Sequence, residues 1–408
     1  MNKEQLMQIF ADTAYVRTGG SAEEKRAALY LQKKLADMGM DATLEEFEVD
    51  MASIRKATLT VDGKEIACLG YLCAGSGEVE APLYYLRNTD DYSLSLCRGK
   101  IVLFDGYLGY WRYRDLLKHG ALGFITYNGD VHFDDREIDQ RELRSYVSLG
   151  EKIPGVNINV KDAVSLIEAD AKRAKITLEQ DEYKGSSHNV VLEQKGETDS
   201  FIVFTAHYDS TSLSQGAYDN MSGCAGLLAL AEYFATRPHR YSLRYVFCGS
   251  EERGLLGSKA YCAAHESELE NAVLNINLDM IGCVMGKFIA CCSSEKTLTS
   301  YLSYMGKELG FGIHTYQDVY SSDSTPFADK GVPAVSFARI SPREAATIHN
   351  SYDTAKSLKA ENLQMDIGFI SAFAERMANA ACCPVERTIP ENVKEKLDEY
   401  LCRKRKKG

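Results

Sequence analysis

Between residues 22 and 39, apolar positions recur at Ala27, Ala28, Leu31, Leu35 and Met38, the spacing of one helix face. The charged residues of the same stretch fall to the opposite face, Ser21 stands where an N-cap belongs, and Gly39 marks a stop. A strand, ATLEEFEV, follows at once. From about residue 50 the pattern changes to short β-type runs between turn residues. Within it, residues 97–100 lead into the strand IVLFD, a helix-like WRYRDLLKHGA and a second strand, GFITYN; IPGVNINVKDAVSLIEAD then adds another strand and a short helix.

From residue 189 onward, strands and helices alternate. FIVFTA (201–206), SLRYVFCG (242–249), AVLNINLD (272–279), FIACC (288–292) and AVSF (334–337) are near-continuous apolar runs, as expected of strands buried on both faces. Helical stretches such as 222–236 lie between them. The alternation predicts an α/β fold with a mostly parallel central sheet flanked by helices. Because the chain re-enters this pattern at Asn189-Val190-Val191-Leu192, the economical organisation is a discontinuous domain, 1–49 and 186–390. A smaller β-rich domain is inserted at 50–185, and a basic tail follows at 391–408.

Composition narrows the function classes. The 408 residues are 45% apolar and 26% charged, a globular balance that argues against disorder and against collagen-like or coiled-coil architecture. The net charge of −11 argues against nucleic-acid binding, which calls for a basic surplus. The one dense basic cluster, Arg403, Lys404, Arg405, Lys406 and Lys407, reads as a solvated tail. None of the twelve cysteines forms a Cys-x-x-Cys pair, so neither a zinc ribbon nor a thioredoxin motif has support. Met1 to Gly20 carries no apolar core of a signal peptide, and no run approaches the ~18 apolar residues of a membrane span. The expected location is therefore cytoplasmic, with the cysteines as free thiols.

Residues able to ligate or to move protons cluster just after the apolar runs, where open α/β sheets place their sites. FIVFTA runs into His207-Tyr208-Asp209-Ser210, Asp219 stands before MSGCAGLLALAEYF, RYVFCGS runs into Glu251-Glu252, LNINL into Asp279, and His349 follows AVSF by a loop. Each has a plain structural use taken alone: Asp219 as an N-cap, the glutamates as a solvated face, a histidine as a packed or surface residue. Converging on one sheet edge, however, the carboxylates would repel unless cations neutralise them. Two divalent ions held by Asp219, Glu252 and Asp279 with neutral His207 and His349 would leave one positive charge, which suits a bound hydroxide. The nitrogen and oxygen donors fit zinc best, and ligand type does not exclude cobalt or manganese. A water bridging such ions would be acidified, and a spare carboxylate could take its proton as it attacks a carbonyl.

His207-Tyr208-Asp209-Ser210, Asp219-Asn220-Met221-Ser222-Gly223 twelve residues on, Gly249-Ser250-Glu251-Glu252 with Gly254-Leu255-Leu256-Gly257-Ser258, Asn277-Leu278-Asp279-Met280-Ile281-Gly282 and the late His349 resemble the M28 family of zinc aminopeptidases. The likeness covers residues 20–50 and about 186–384. The insert resembles a protease-associated domain in GKIVLFDGYLGYWRYRDLLKHGALGFITYN and IPGVNINVKDAVSLI. The resemblance implies a binuclear aminopeptidase acting on peptides, with a metal-bridging water as nucleophile. By the same resemblance, His207, Asp219 and Asp279 hold one zinc, and Asp219, Glu252 and His349 the other. Glu251 is the implied general base, and Asp209 would accept the second N–H of the His207 imidazole.

Other readings share these residues. Glutaminyl cyclases carry a similar His-Tyr-Asp-Ser segment but usually lack the insert and use a single zinc, whereas a carboxypeptidase would need a cation for the substrate carboxylate, for which Arg339 and Arg343 are the nearby choices. A non-catalytic binding scaffold would typically lose ligands, and here all five positions and the base are present. Peptide substrates are the expected partners, with no nucleic acid and no membrane, and the pattern sets no oligomeric state. Residues 322–327, SDSTPF, stand where the family presents a loop near the substrate, with a plain loop as the other reading. Asp353 would support His349 or cap a helix. His119, His132, His188, His239, His265 and His314 lack a motif and read as structural or surface residues, and Tyr107, Tyr110, Trp111 and Tyr113 read as core packing of the insert rather than an exposed aromatic patch.

Overall fold

The sheet that carries the site is built on three adjacent parallel strands whose C-terminal ends lie level. In the computed structural model, which describes residues 1–406, Thr198–His207 runs parallel to Tyr241–Cys248 on one side and to Ala272–Leu278 on the other. Cys248 stands opposite His207, and Asn277 opposite Thr205. Ala334–Ile340 continues the parallel set beyond Ala272–Leu278. Antiparallel pairings flank it: Lys287–Ser293 beside Ala334–Ile340, and the C-terminal part of Arg173–Gln194 beside Tyr241–Cys248. His314–Gln317 forms the outer edge, parallel to Lys287–Ser293. The sheet is thus mixed, with a parallel centre.

Both faces of that centre are covered, which is why its strands lack alternation. Ile202, Phe204 and Ala206 pack into the larger core with the helix Ser222–Phe234, while Phe201 and Val203 face Val246, Tyr261 and Phe327 on the other side. Ser222–Phe234 is buried almost all round, the pattern of a helix enclosed within a large domain. Lys3–Asp12, Ala22–Asp37 and Ala360–Ala378 contribute further residues to the same core. Ser21 caps Ala22–Asp37 by accepting from the Glu24 N–H. Glu24 departs from the expected solvated face of this helix: it is 1% exposed.

The chain divides into two compact units, Met1–Glu48 together with the segment from Ser186 onward, and Val49–Gly185. Within the second unit, Gly77–Leu86, Ile101–Phe104, Gly123–Asn128 and Gly155–Asn159 form a parallel series. The N-terminal part of Arg173–Gln194 pairs antiparallel with Gly77–Leu86. Alternate residues of Ile101–Phe104 fill two small cores, Val102 and Phe104 in one and Ile101 and Leu103 in the other. The aromatic group of the insert is divided, because Tyr113 lies in the core and Tyr107 is 54% exposed.

The segment expected to be a basic tail from residue 391 begins with a packed element. Glu391–Tyr400 is a helix whose Val393 and Leu397, one turn apart, pack with Ala328, Ala334 and Ile389. Arg403 forks onto Asp329 at 2.6 and 2.7 Å, while Lys407, the last of the basic cluster, lies outside the described residues. Among the described residues, no helix is long and apolar enough to cross a membrane.

Candidate active site

The residues singled out for chemistry sit at the C-terminal ends of the central strands or on the segments that follow them. His207 closes Thr198–His207, Glu251 and Glu252 follow Tyr241–Cys248, Asp279 follows Ala272–Leu278, and His349 lies on the loop after Ala334–Ile340. Asp219 lies ahead of Ser222–Phe234. Parallel strands in register deliver these ends to one edge, so chemistry scattered over 143 positions of sequence converges in space. Ser250, Met280 and His349 are non-glycine residues with φ of 54°, 65° and 61°. Such backbone costs about 1–3 kcal/mol per residue, and here it lies next to, or at, the converging side chains.

The convergent side chains form two groups that share Asp219. His207, Asp219 and Asp279 each offer a ligand atom within 4.8 Å of the others, as do Asp219, Glu252 and His349. His207 Nε2 lies 3.1 Å from Asp219 Oδ1 and 3.9 Å from Asp279 Oδ1. His349 Nε2 is 3.1 Å from both Asp219 Oδ2 and Glu252 Oε1. Each oxygen of Asp219 therefore faces a different group. Glu251 Oε2 stands 4.0 Å from His207 Nε2, beside the groups and outside both.

The charges show what this arrangement suits. Burial pushes Asp279 up to about 7, with Asp219 adding to the effect. Burial, Glu252, Asp323 and Asp279 together drive Glu251 well above its ordinary value. Burial also opposes charge on the two histidines, yet Glu251, Asp209 and Asp219 raise His207, and Glu252 and Asp219 raise His349. Against its own burial, hydrogen bonds from both histidines hold Asp219 low. Asp279 Oδ1 is buried without a hydrogen-bond partner among the described residues. An orphaned carboxylate oxygen among two imidazoles and further carboxylates is a donor set suited to divalent cations.

A family model described as peptidase family M28 matches residues 189–373. Over that segment the chain resembles family M28 peptidases. Aminopeptidase YwaD of Bacillus subtilis is 27% identical over 411 residues, covering 94% of this chain and 86% of that protein. The probable lipoprotein aminopeptidase LpqL of Mycobacterium tuberculosis is 26% identical over 283 residues, 65% of this chain and 55% of that one. The solved structure of BSAP, a zinc aminopeptidase from Bacillus subtilis, superposes with a TM-score of 0.78 at 24% identity, over 96% of this chain and 98% of its own. An aminopeptidase from Aneurinibacillus sp. strain AM-1 superposes with a TM-score of 0.75 at 23% identity, over 94% and 96%. These superpositions place the chain in the same α/β fold.

Around the two groups, the protein has a scaffold of polar residues, several of which the sequence pattern does not single out. Asp209 Oδ1 lies 3.4 Å from His207 Nδ1, and its two oxygens accept the backbone N–H groups of Glu251 at 2.9 Å and Glu252 at 3.1 Å. One carboxylate thus ties the His207 strand end to the Glu251-Glu252 turn. Asn220 donates to the Leu278 carbonyl at 2.9 Å and accepts from the N–H groups of Gly223 and Met280 at 3.0 Å, bracing the turn that carries Asp279. Close approach makes Gly223 necessary, since a Cβ there would stand 2.2 Å from the Leu278 carbonyl oxygen.

Asp353 departs from expectation. It contacts the backbone of Asp219 rather than His349, accepting the N–H groups of Tyr218 at 2.8 Å and Asp219 at 3.1 Å, and the Ser214 hydroxyl at 3.2 Å. Arg17, fully buried, donates to the carbonyls of Tyr208, Gln215 and Gly216, and so spans the loop between His207 and Asp219. Its sequence context, a lone arginine ahead of Gly19-Gly20, carries no chemical signal. Residues 322–327 are buried throughout and include the start of the short helix Ser324–Asp329, with burial raising Asp323 to about 6. They form an interior plug rather than an exposed loop.

Proposed function

We propose that the protein is an M28 aminopeptidase that holds two divalent cations, zinc foremost, and removes N-terminal residues from peptides. The observation that carries the reading is the pair of ligand groups sharing Asp219 with Glu251 beside them. In this reading His207, Asp219 and Asp279 hold one cation, Asp219, Glu252 and His349 the other. When bound, the cations would polarise the scissile carbonyl and acidify a water. Glu251 takes the proton of that water on its carboxylate and returns it to the leaving amine. Its elevated proton affinity falls once cations neutralise the surrounding carboxylates, which suits a base working near neutral pH. Asp209 keeps Glu251 and Glu252 pointing to different tasks by holding both of their backbone N–H groups. The names of the relatives, aminopeptidase in both and zinc aminopeptidase in a solved structure, support this choice within the family.

The carboxypeptidase reading loses one of its two cations. Arg339 forks onto Asp366, is 12% exposed at its side chain, and also donates to the Gly286 carbonyl at 3.1 Å. That leaves Arg343, exposed on the loop before His349, to hold a substrate carboxylate. Residues 1–49 and 186–390 act in this reading as the catalytic domain, and 50–185 as an inserted protease-associated domain. The test is zinc content per chain measured alongside hydrolysis of amino-acyl anilides, N-blocked peptides and N-terminal glutaminyl peptides. Two zinc ions with release of free amino acids is the expected result. Cleavage of N-blocked peptides from the carboxyl end, or cyclisation of the glutaminyl peptides without hydrolysis, would overturn it.

A further inference from the structure

The helix Ala22–Asp37 buries one carboxylate, Glu24, 226 positions before the turn that carries Glu251. Glu24 Oε1 accepts the Ser250 backbone N–H at 2.7 Å, the Ser250 hydroxyl at 3.0 Å and the Ser187 hydroxyl at 2.9 Å, while Oε2 accepts the Gly20 N–H at 2.6 Å. Four donors on two oxygens occupy the acceptor positions of the carboxyl group. Two of the donors are backbone N–H groups that cannot turn round to accept. A glutamine would therefore press its NH2 against one of them.

The surroundings leave Ser250 no other place. Its φ is 54°, in the left-handed region that non-glycine residues seldom adopt. A Cβ on Gly19 would stand 2.5 Å from Ser250 Oγ, and a Cβ on Gly249 2.5 Å from Ser187 Oγ. Arg253 reaches back to the Gly19 carbonyl at 3.2 Å. The Gly19-Gly20 turn, Glu24 and Ser187 thus form a seat for the residue that immediately precedes Glu251, and Asp209 holds the Glu251 N–H from the other side.

We propose that Glu24 is a positioning residue of this peptidase, holding Ser250 so that the Glu251 carboxylate stands beside the two ligand groups. The proposal rests on the base role given to Glu251 above. Glu24 touches neither ligand group, so its effect passes through the turn.

The test compares Glu24→Gln in two backgrounds. In the parent, kcat on an amino-acyl anilide falls on the order of tenfold or more, as misplacement of a catalytic group by a fraction of an ångström produces, with KM within about twofold and zinc content unchanged. In the Glu251→Gln background the same substitution leaves the residual rate unaltered, because no base remains to be placed. Glu23→Gln, on the exposed side of the same turn, leaves kcat at the parent level. Equal losses in both backgrounds, or no loss in the parent, overturn the proposal. Amide hydrogen exchange supplies a readout independent of activity: the Ser250 and Glu251 amides exchange faster in Glu24→Gln while those of Lys287–Ser293 do not change, and unchanged exchange at Ser250 overturns the proposal. Should Glu24→Gln fail to fold, Ser250→Ala, which removes one of the four donors, carries the same comparison. A parent that releases no amino acid from any anilide overturns the aminopeptidase reading instead, and the exchange experiment then decides the placement by itself.

Discussion

Asp353 Oδ2 accepts the backbone N–H of Asp219 at 3.1 Å, across 134 positions of sequence. The acid that fixes the shared ligand is thus outside both ligand groups. Asp353→Asn would set an NH2 against the N–H of Tyr218 or Asp219. Zinc affinity is expected to fall on the order of 10–100-fold, as measured by competition with a chromophoric chelator. Affinity equal to the parent would remove Asp353 from the support of the site.

Glu251→Gln keeps the shape of the turn and its N–H bond to Asp209 but removes the proton acceptor. Turnover is expected to fall by about 10²–10⁴ while zinc content, read by elemental analysis, stays at the parent level. Activity within several-fold of the parent would place the base elsewhere.

Acid stability of the metal-stripped protein follows from the buried carboxyls. Burial raises Asp279 and Asp353 to about 7 and Glu24 to about 8, above the ~4 of an unfolded chain. Between these limits the folded state binds more protons than the unfolded one, so their stabilisation is full below about pH 4 and is lost as pH rises through 7 to 8. His207 and His349, also raised, act in the same direction from about pH 6.5 upward. Asp219 is lowered, and its opposite contribution is complete above about pH 4, outside this window. Calorimetry of the stripped protein should show Tm falling from pH 5 to 9. Zinc should flatten the slope by keeping its ligands deprotonated, and leave the part that belongs to Glu24 and Asp353. A rising Tm over that range would contradict the assignment.

Arg339 and Asp366 form a buried fork, with Asp366 fully enclosed. Arg339→Met should cost about 3–5 kcal/mol of stability by stranding the carboxylate, seen as a lower denaturant midpoint. KM for an amino-acyl anilide should be unchanged. A selective loss of binding for substrates with a free carboxyl group would revive Arg339 as a substrate contact.

The central strands were legible because their signal is local. Runs such as FIVFTA and AVLNINL are apolar without alternation, and Phe201 and Ile202 do pack to opposite faces. Glu24 and Val393 were not legible for the converse reason. A glutamate in the first turn of a helix reads the same whether the turn faces water or Ser250, and the spacing of Val393 and Leu397 is short enough to be lost among the lysines and glutamates around it.

By itself the sequence determined which residue types follow each strand, and so brought His207, Asp209, Glu251, Glu252 and Asp279 into view at the sheet edge, since adjacency along the chain to a buried strand is enough to place a side chain there, while Asp219 before its helix and His349 on its loop joined them through their motifs. Only the tertiary structure decided what holds them there. The bonds from Arg17 to the His207–Asp219 loop, from Glu24 to Ser250, from Asp353 to Asp219 and from Arg339 to Asp366 join segments distant in sequence. A polar side chain carries the same local pattern whether it is solvated or buried, and packing alone selects its partner.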